Sequence, residues 1–277
     1  MNIFSVLVIA RKELKDAMRN RWLALYASIF GTLSFSIAWL ALSGTSSYGS
    51  IGFGRTAASL INMVILIVPL MGLTLGALSI AGERDKKTML YLLAQPVSKF
   101  EIIIGKYLGL SLALIISLIC GFGVSGIFIT FKGEALQPTL YGAFILLTIL
   151  LALVTLSFGF LISVIVQKSV TAISAALFTW LFLVLFTDLG LMGTALILNL
   201  GINELFVLTL SNPLQVYKIT AILTLRSSLE VLGPGGIYAT RTYGSFLLPG
   251  LLTLLSMSVV IPLGLCYAVL CVKKDLR

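Results

Sequence analysis

The chain has 277 residues, 59% of them hydrophobic and only 10% charged. Soluble domains carry about 25% charged residues, so the composition excludes an ordinary soluble protein and points to an integral membrane protein. The net charge of +9 sits beside apolar runs, where it reads as topology signal and contact with anionic lipid, not as a nucleic-acid surface.

Uncharged runs long enough to cross a hydrocarbon core of about 30 Å recur along the chain. The alternating strands of an outer-membrane barrel are absent, so the expected fold is an all-α membrane protein. Residues 1–21 place Ile3, Leu7, Ala10, Leu14 and Met18 on one helical face and Lys12, Lys15, Asp16 and Arg19 elsewhere. That spacing predicts an amphipathic helix lying in the membrane interface. Its charges follow the apolar start and do not precede it, unlike those of a secretory signal peptide.

A first span is predicted over 22–42, then a Gly/Ser-rich loop over 43–56 with Arg55 as its one charge. A second span, 57–81, holds Pro69 in its middle and Gly72 and Gly76 four apart, a pattern for close helix approach more than for a hinge. The segment 83–106 then concentrates charge: Glu83, Arg84, Asp85, Lys86 and Lys87 come first. Met89, Leu90, Leu92 and Leu93 give a short apolar-faced piece, halted by Gln95-Pro96. Ser98 and Glu101 have the spacing of a capping box, with Val97 and Ile102 as its hydrophobic staple. A third span follows over 107–131, and a turn with Lys132, Glu134 and Pro138 leads to a fourth over 139–166. After the tight connection Gln167-Lys168-Ser169, a fifth span over 170–198 carries Asp188. The long connection 199–246 is expected to form short helices on the membrane face, before a sixth span over 247–272.

Fourteen Lys and Arg fall on the side of the two termini and five on the other. The positive-inside rule then places both termini and the 83–106 loop in the cytoplasm and 199–246 outside. No internal repeat is evident, which leaves an inverted-repeat transporter without support.

Catalytic chemistry finds few carriers. With no histidine there is no HExxH site, no histidine base and no histidine-held haem. Cys120, Cys266 and Cys271 form no CxxC pair. With Met63, Met71, Met192 and Met257 they offer soft sulfurs, but these residues also fill gaps in apolar packing, and no metal site is expected. No GxxxxGK[ST] motif occurs, so any ATP-driven work needs an ATPase on another chain. Asp188 lies about 27 Å along its span at 1.5 Å per residue, near the outer interface, where it either bonds the outer segment or serves a ligand. It has no second membrane aspartate or Ser–His pair for proteolysis. The charged loop itself admits three readings: a solvated connector, a lipid anchor or an ordered docking element. Order costs conformational entropy, and transmission of force is one reason to incur it.

The run Glu83 to Lys87, Thr88-Met89-Leu90, Leu92-Leu93, Ala94-Gln95-Pro96-Val97-Ser98-Lys99 and Glu101 to Lys106 resembles the hallmark loop of ABC-2 type permeases. Ala10-Arg11-Lys12-Glu13-Leu14 with Arg19-Asn20-Arg21-Trp22 resembles their elbow helix. The likeness covers the whole chain and implies a type V exporter-like architecture of six spans. Within the family, residues 9–23, Ile37 to Leu40, Trp180 to Leu189, Asn212-Pro213 and Tyr217-Lys218 are similar to the NosY-type permeases of nitrous-oxide-reductase copper maturation. One departure is Lys87, where the family usually has glycine before the threonine.

The resemblance implies a non-catalytic subunit in the bacterial cytoplasmic (inner) membrane. Its partners would be a second copy, two cytoplasmic ABC ATPases that hold ATP and Mg, and a periplasmic copper-delivery protein. Glu83, Arg84, Asp85, Lys86, Lys87, Thr88, Leu92, Gln95, Ser98 and Glu101 would contact the ATPase, together with Arg11, Lys12, Glu13 and Arg19. Asp188, Asn212, Pro213, Tyr217 and Lys218 would contact the periplasmic partner. A general exporter of a drug, lipid or peptide is the alternative within the superfamily. An ATPase-independent anchor or assembly factor is the alternative outside it.

Overall fold

The computed structural model describes residues 3–43, 49–89, 97–131, 138–186, 201–225 and 244–272. Among these residues there is no strand. In chain order the helices are α1 (Ile3–Met18), α2 (Arg21–Ser43), α3 (Gly49–Asp85), α4 (Lys99–Phe131) and α5 (Pro138–Ile165). They continue with α6 (Ser169–Leu185), α7 (Ile202–Leu210), α8 (Pro213–Thr224) and, after a 3₁₀ turn at Gly244–Phe246, α9 (Leu247–Val272).

Among the described residues, five helices are long and apolar enough to cross a membrane: α2, α3, α4, α5 and α9. Together they make this a multi-pass membrane protein. The fifth expected span appears as α6, an apolar helix of 17 residues, and the rest of that expected span, with Asp188, lies outside the described residues. The expected loop at 43–56 is too long, because α3 already begins at Gly49. The capping box at the start of α4 forms as expected. The Ser98 amide donates to Glu101 Oε2 at 3.1 Å, and the Glu101 amide donates to Ser98 Oγ at 3.2 Å.

α3 is the central pillar. Its most apolar stretch is 78% buried, against 22% for α2 and for α9. It packs against α5 through a crossing in which glycines let the two backbones touch. A methyl group added at Gly76 would lie 2.5 Å from the Leu156 carbonyl oxygen and 2.8 Å from Gly159 Cα. Helix association in lipid gains little from hydrophobicity, so close backbone approach of this kind supplies the dispersion contact.

Two prolines leave helix carbonyls without their usual donors. Pro262 in α9 frees the Ser258 carbonyl, and Ser157 of α5 shares its proton between that oxygen at 3.3 Å and its own Val154 carbonyl at 2.7 Å. Pro69 in α3 frees the Ile65 carbonyl, and one residue on, Trp180 of α6 donates its indole N–H to the Leu66 carbonyl at 2.9 Å.

The segment after α6 departs from expectation. α8 does not lie on the bundle surface; Leu214, Val216, Tyr217 and Ala221 are fully buried, and it packs against α5, α9 and α3. Asn212 starts it: its Oδ1 accepts from the Leu214 amide and its Nδ2 donates to the Leu183 carbonyl, both at 3.0 Å. Pro213 at the first helical position loses no hydrogen bond there. Thr148 gives its own proton to the Phe144 carbonyl, so the Tyr217 hydroxyl, 3.1 Å away, donates to Thr148 Oγ1.

The α3–α5 contact generates a paired prediction. Gly76→Val should lower stability by about 1–3 kcal/mol through overpacking. Gly82, six residues on in the same helix, has nothing within 4 Å of an added Cβ. Gly82→Ala should therefore raise stability by about 0.5–1 kcal/mol. Thermal unfolding in detergent distinguishes the two; similar behaviour of both variants would contradict the proposed contact.

Candidate functional site

α1 meets α4 at a second close crossing. A Cβ at Gly109 of α4 would lie 2.5 Å from the Ala10 carbonyl oxygen and 2.6 Å from Glu13 Cβ. The face of α1 that enters the protein is therefore Val6, Ala10, Glu13 and Ala17. Of the expected apolar stripe, Ile3, Leu7 and Met18 are exposed, as a lipid-facing surface would be, while Ala10 turns inward. The small side chains turn inward because the backbones touch, and they bring Glu13 in with them.

Glu13 meets Lys106, the fully buried ammonium of α4. Lys106 Nζ lies 2.7 Å from Glu13 Oε1 and 2.8 Å from Glu83 Oε1, and it donates to the Ser79 carbonyl at 3.3 Å. Two hydrogen bonds and a second carboxylate surround it, the condition under which a buried ammonium is tolerated. Lys12, half exposed, closes the group from outside at 3.3 Å from Glu83 Oε1 and 3.7 Å from Glu13 Oε1. Burial alone would lower the Lys12 pKa, but the carboxylates of Glu83 and Glu13 outweigh it and hold the ammonium above its ordinary value.

The two residues after Glu83 reach different helices. Arg84 donates from Nη1 to the Val166 carbonyl at 3.0 Å and the Val164 carbonyl at 3.4 Å, capping the end of α5 where carbonyls lack partners. Asp85 Oδ2 accepts from the Ser169 amide, the first residue of α6, at 3.4 Å. Ser163 Oγ accepts from the Ile80 and Ala81 amides at 2.9 and 2.8 Å, tying α5 to α3 within a turn of Glu83. Lys99 caps α9 in the same manner, donating to the Leu270 carbonyl at 3.0 Å. One end of the bundle is thus a polar hub. Three consecutive charges, Glu83, Arg84 and Asp85, fasten α3 to α1 with α4, to α5 and to α6. Within it, Glu83 Oε2 and Arg84 Nε and Nη2 are buried without a partner.

The sequence of residues 7–276 matches the ABC-2 family transporter protein. The chain belongs to the ABC-2 transporter family. It is 32% identical over 217 residues to a Stutzerimonas stutzeri protein named "Probable ABC transporter permease protein NosY", covering 76% of this chain and 79% of that one. It is 32% identical over 241 residues to the protein of the same name from Pseudomonas aeruginosa, covering 84% and 85%. These relatives are named as permease proteins, in keeping with a non-catalytic membrane subunit of an ABC transporter.

The hub reassigns several residues of this ABC-2 permease. Of the residues expected to meet an ATPase, Arg11, Lys12, Arg19, Lys86, Lys87 and Thr88 are exposed. Glu13 and Glu101 are buried: Glu13 because Lys106 takes its carboxylate, Glu101 because it caps its own helix. Leu92 and Gln95 lie outside the described residues. Of the residues expected to meet an outer partner, Asn212, Pro213 and Tyr217 are instead buried in the cap and core of α8. Lys218 is half-buried, and Asp188 is outside the described residues. Sequence reasoning took Lys106 as a topology charge and as the end of the charged loop, and did not single it out as a site residue. Its signal was position: it lies seven residues inside α4, next to Gly105 and amid Ile103, Ile104 and Tyr107.

No group of three or more metal-ligating side chains occurs among the described residues.

Lys87 explains its own oddity. The Thr88 amide donates to the Glu83 carbonyl at 2.9 Å and the Lys87 amide to the Arg84 carbonyl at 3.0 Å, the paired bonds of a Schellman ending. Lys87 is its left-handed residue, with φ 59°, the position that favours glycine. Lys87→Gly should raise stability by about 1 kcal/mol, and Lys87→Val should lower it, both read from thermal unfolding in detergent. Equal midpoints would show that the turn carries no strain.

Proposed function

We propose that this chain is the permease subunit of a NosY-type ABC complex, which couples ATP hydrolysis on a separate cytoplasmic ATPase to copper delivery outside the membrane for nitrous oxide reductase maturation. The observation that carries the reading is the hub. A push on the end of α3 would reach α1, α4, α5 and α6 through side chains of three adjacent residues. Lys86, Lys87 and Thr88 project from that same end and supply the surface on which an ATPase would press.

In this reading α1 is the elbow helix, the termini and the hub are cytoplasmic, and the membrane is the bacterial inner membrane. Two ATPases favour a two-fold pair of this chain with isologous contacts. ATP and Mg sit on the ATPases and copper is cargo. α8, wedged between α3, α5 and α9, would carry motion toward the outer segment, which meets the periplasmic delivery protein.

The test is affinity purification in mild detergent with mass spectrometry of the accompanying chains. An ABC ATPase should co-purify, and Lys86→Glu with Lys87→Glu should reduce its recovery about tenfold, the equivalent of 1.4 kcal/mol, without changing the detergent melting point. Purification with no nucleotide-binding chain would favour an independent anchor. ATP turnover stimulated by a drug, lipid or peptide, with no periplasmic partner needed, would favour a general exporter.

A further inference from the structure

The geometry points to Lys106 as a positioning residue for force transmission: by serving as counterion to both Glu13 and Glu83, it makes α1, the end of α3 and the first turns of α4 move as one body. The inference deepens the permease reading and rests on it for its functional meaning. In structural terms it stands on three observations.

The first is connectivity. Glu13, Glu83 and Lys106 come from three helices, and one ammonium serves all of them. The second is burial. Lys106 is fully buried, and Glu13 is 8% exposed. If α1 swung away alone, Lys106 would lose one of its two carboxylates and Glu13 its buried ammonium, and the Lys12–Glu83 pair would break as well. The cost of stranding a charge in a low-dielectric site is large, while the net gain from the intact pair is small. Such a pair acts as a lock more than as a glue. The third is contact. Gly105 and Gly109 seat α1 so closely that added Cβ atoms would meet Ile9 Cβ at 2.8 Å and Glu13 Cβ at 2.6 Å. Helix α1 therefore has no room to slide along α4 without first lifting off, and lifting off breaks the pair. An elbow helix built this way does not hinge; it is carried.

Cysteine cross-linking tests both halves of the statement. Ile9→Cys with Gly105→Cys is placed in a chain whose Cys120, Cys266 and Cys271 are replaced by alanine. A disulfide wants Cβ atoms about 3.5–4.5 Å apart, so the helices need separate only slightly for it to form. In the chain assembled with its ATPase, the cross-link yield should be the same with and without ATP. The oxidised complex should hydrolyse ATP within about twofold of the reduced one, since a bond inside a rigid body costs nothing in motion. A yield that ATP suppresses, or turnover that falls about tenfold on oxidation and recovers on reduction, overturns the single-body reading.

In the chain alone, which needs no ATPase, Lys106→Gln should cut the cross-link yield about fivefold, because it leaves two carboxylates with only the half-exposed Lys12 between them. An unchanged yield in Lys106→Gln removes Lys106 from the role. Should Lys106→Gln fail to fold, Glu13→Gln carries the same expectation and the same refutation. If no ATPase associates with the chain, the permease reading falls, while the measurements on the chain alone still decide the lock.

Discussion

Lys106 puts a positive charge inside an apolar bundle, and the arrangement of one whole end of the molecule follows from the need to satisfy it. Two carboxylates must be brought to within hydrogen-bond distance, and they come from helices far apart in sequence. Glu13 arrives only because α1 presses its small residues against Gly105 and Gly109. Glu83 arrives because α3 runs long enough to deliver its last turn to the same point. Once Glu83 is committed, Arg84 and Asp85 are directed at the neighbouring helices, where a cation suits the C-terminus of α5 and an anion the N-terminus of α6. One buried charge thus orders five helices, by geometry more than by net energy.

Much of the fold was legible in the sequence because the bilayer constrains it so strongly. The order of the five long apolar helices follows from apolar run length, and the start of α4 follows from the Ser98–Glu101 spacing, whose two bonds form as the pattern requires. Gly72 and Gly76 were readable as a close crossing, though not their partner Gly159. What periodicity could not supply is which face of α1 turns inward. In water the apolar stripe would settle that. Here both the lipid and the protein accept Ile3, Leu7 and Met18, so backbone proximity decides, and Ala10 and Ala17 win.

The charged loop divides within five residues. Glu83, Arg84 and Asp85 close internal bonds, while Lys86 and Lys87, at the left-handed turn, are exposed. Charge in a polar loop beside a membrane has two uses, topology and internal fastening, and composition cannot separate them. Asn212 and Tyr217 show the same ambiguity. Both read as partner contacts on short helices at the membrane face, yet Asn212 caps a buried helix and Tyr217 donates to a hydroxyl on α5.

The proline in α9 has a consequence for that helix's height in the bilayer. α9 is poorly enclosed, and against lipid an apolar rod is nearly indifferent to sliding along its own axis. Pro262 exposes a single carbonyl at Ser258, and only one hydroxyl on α5 stands opposite it. A shift of α9 by one residue, about 1.5 Å, would carry that oxygen past Ser157 and leave it facing hydrocarbon. The proline therefore gives a featureless helix an index mark, and Ser157 is the pin that reads it.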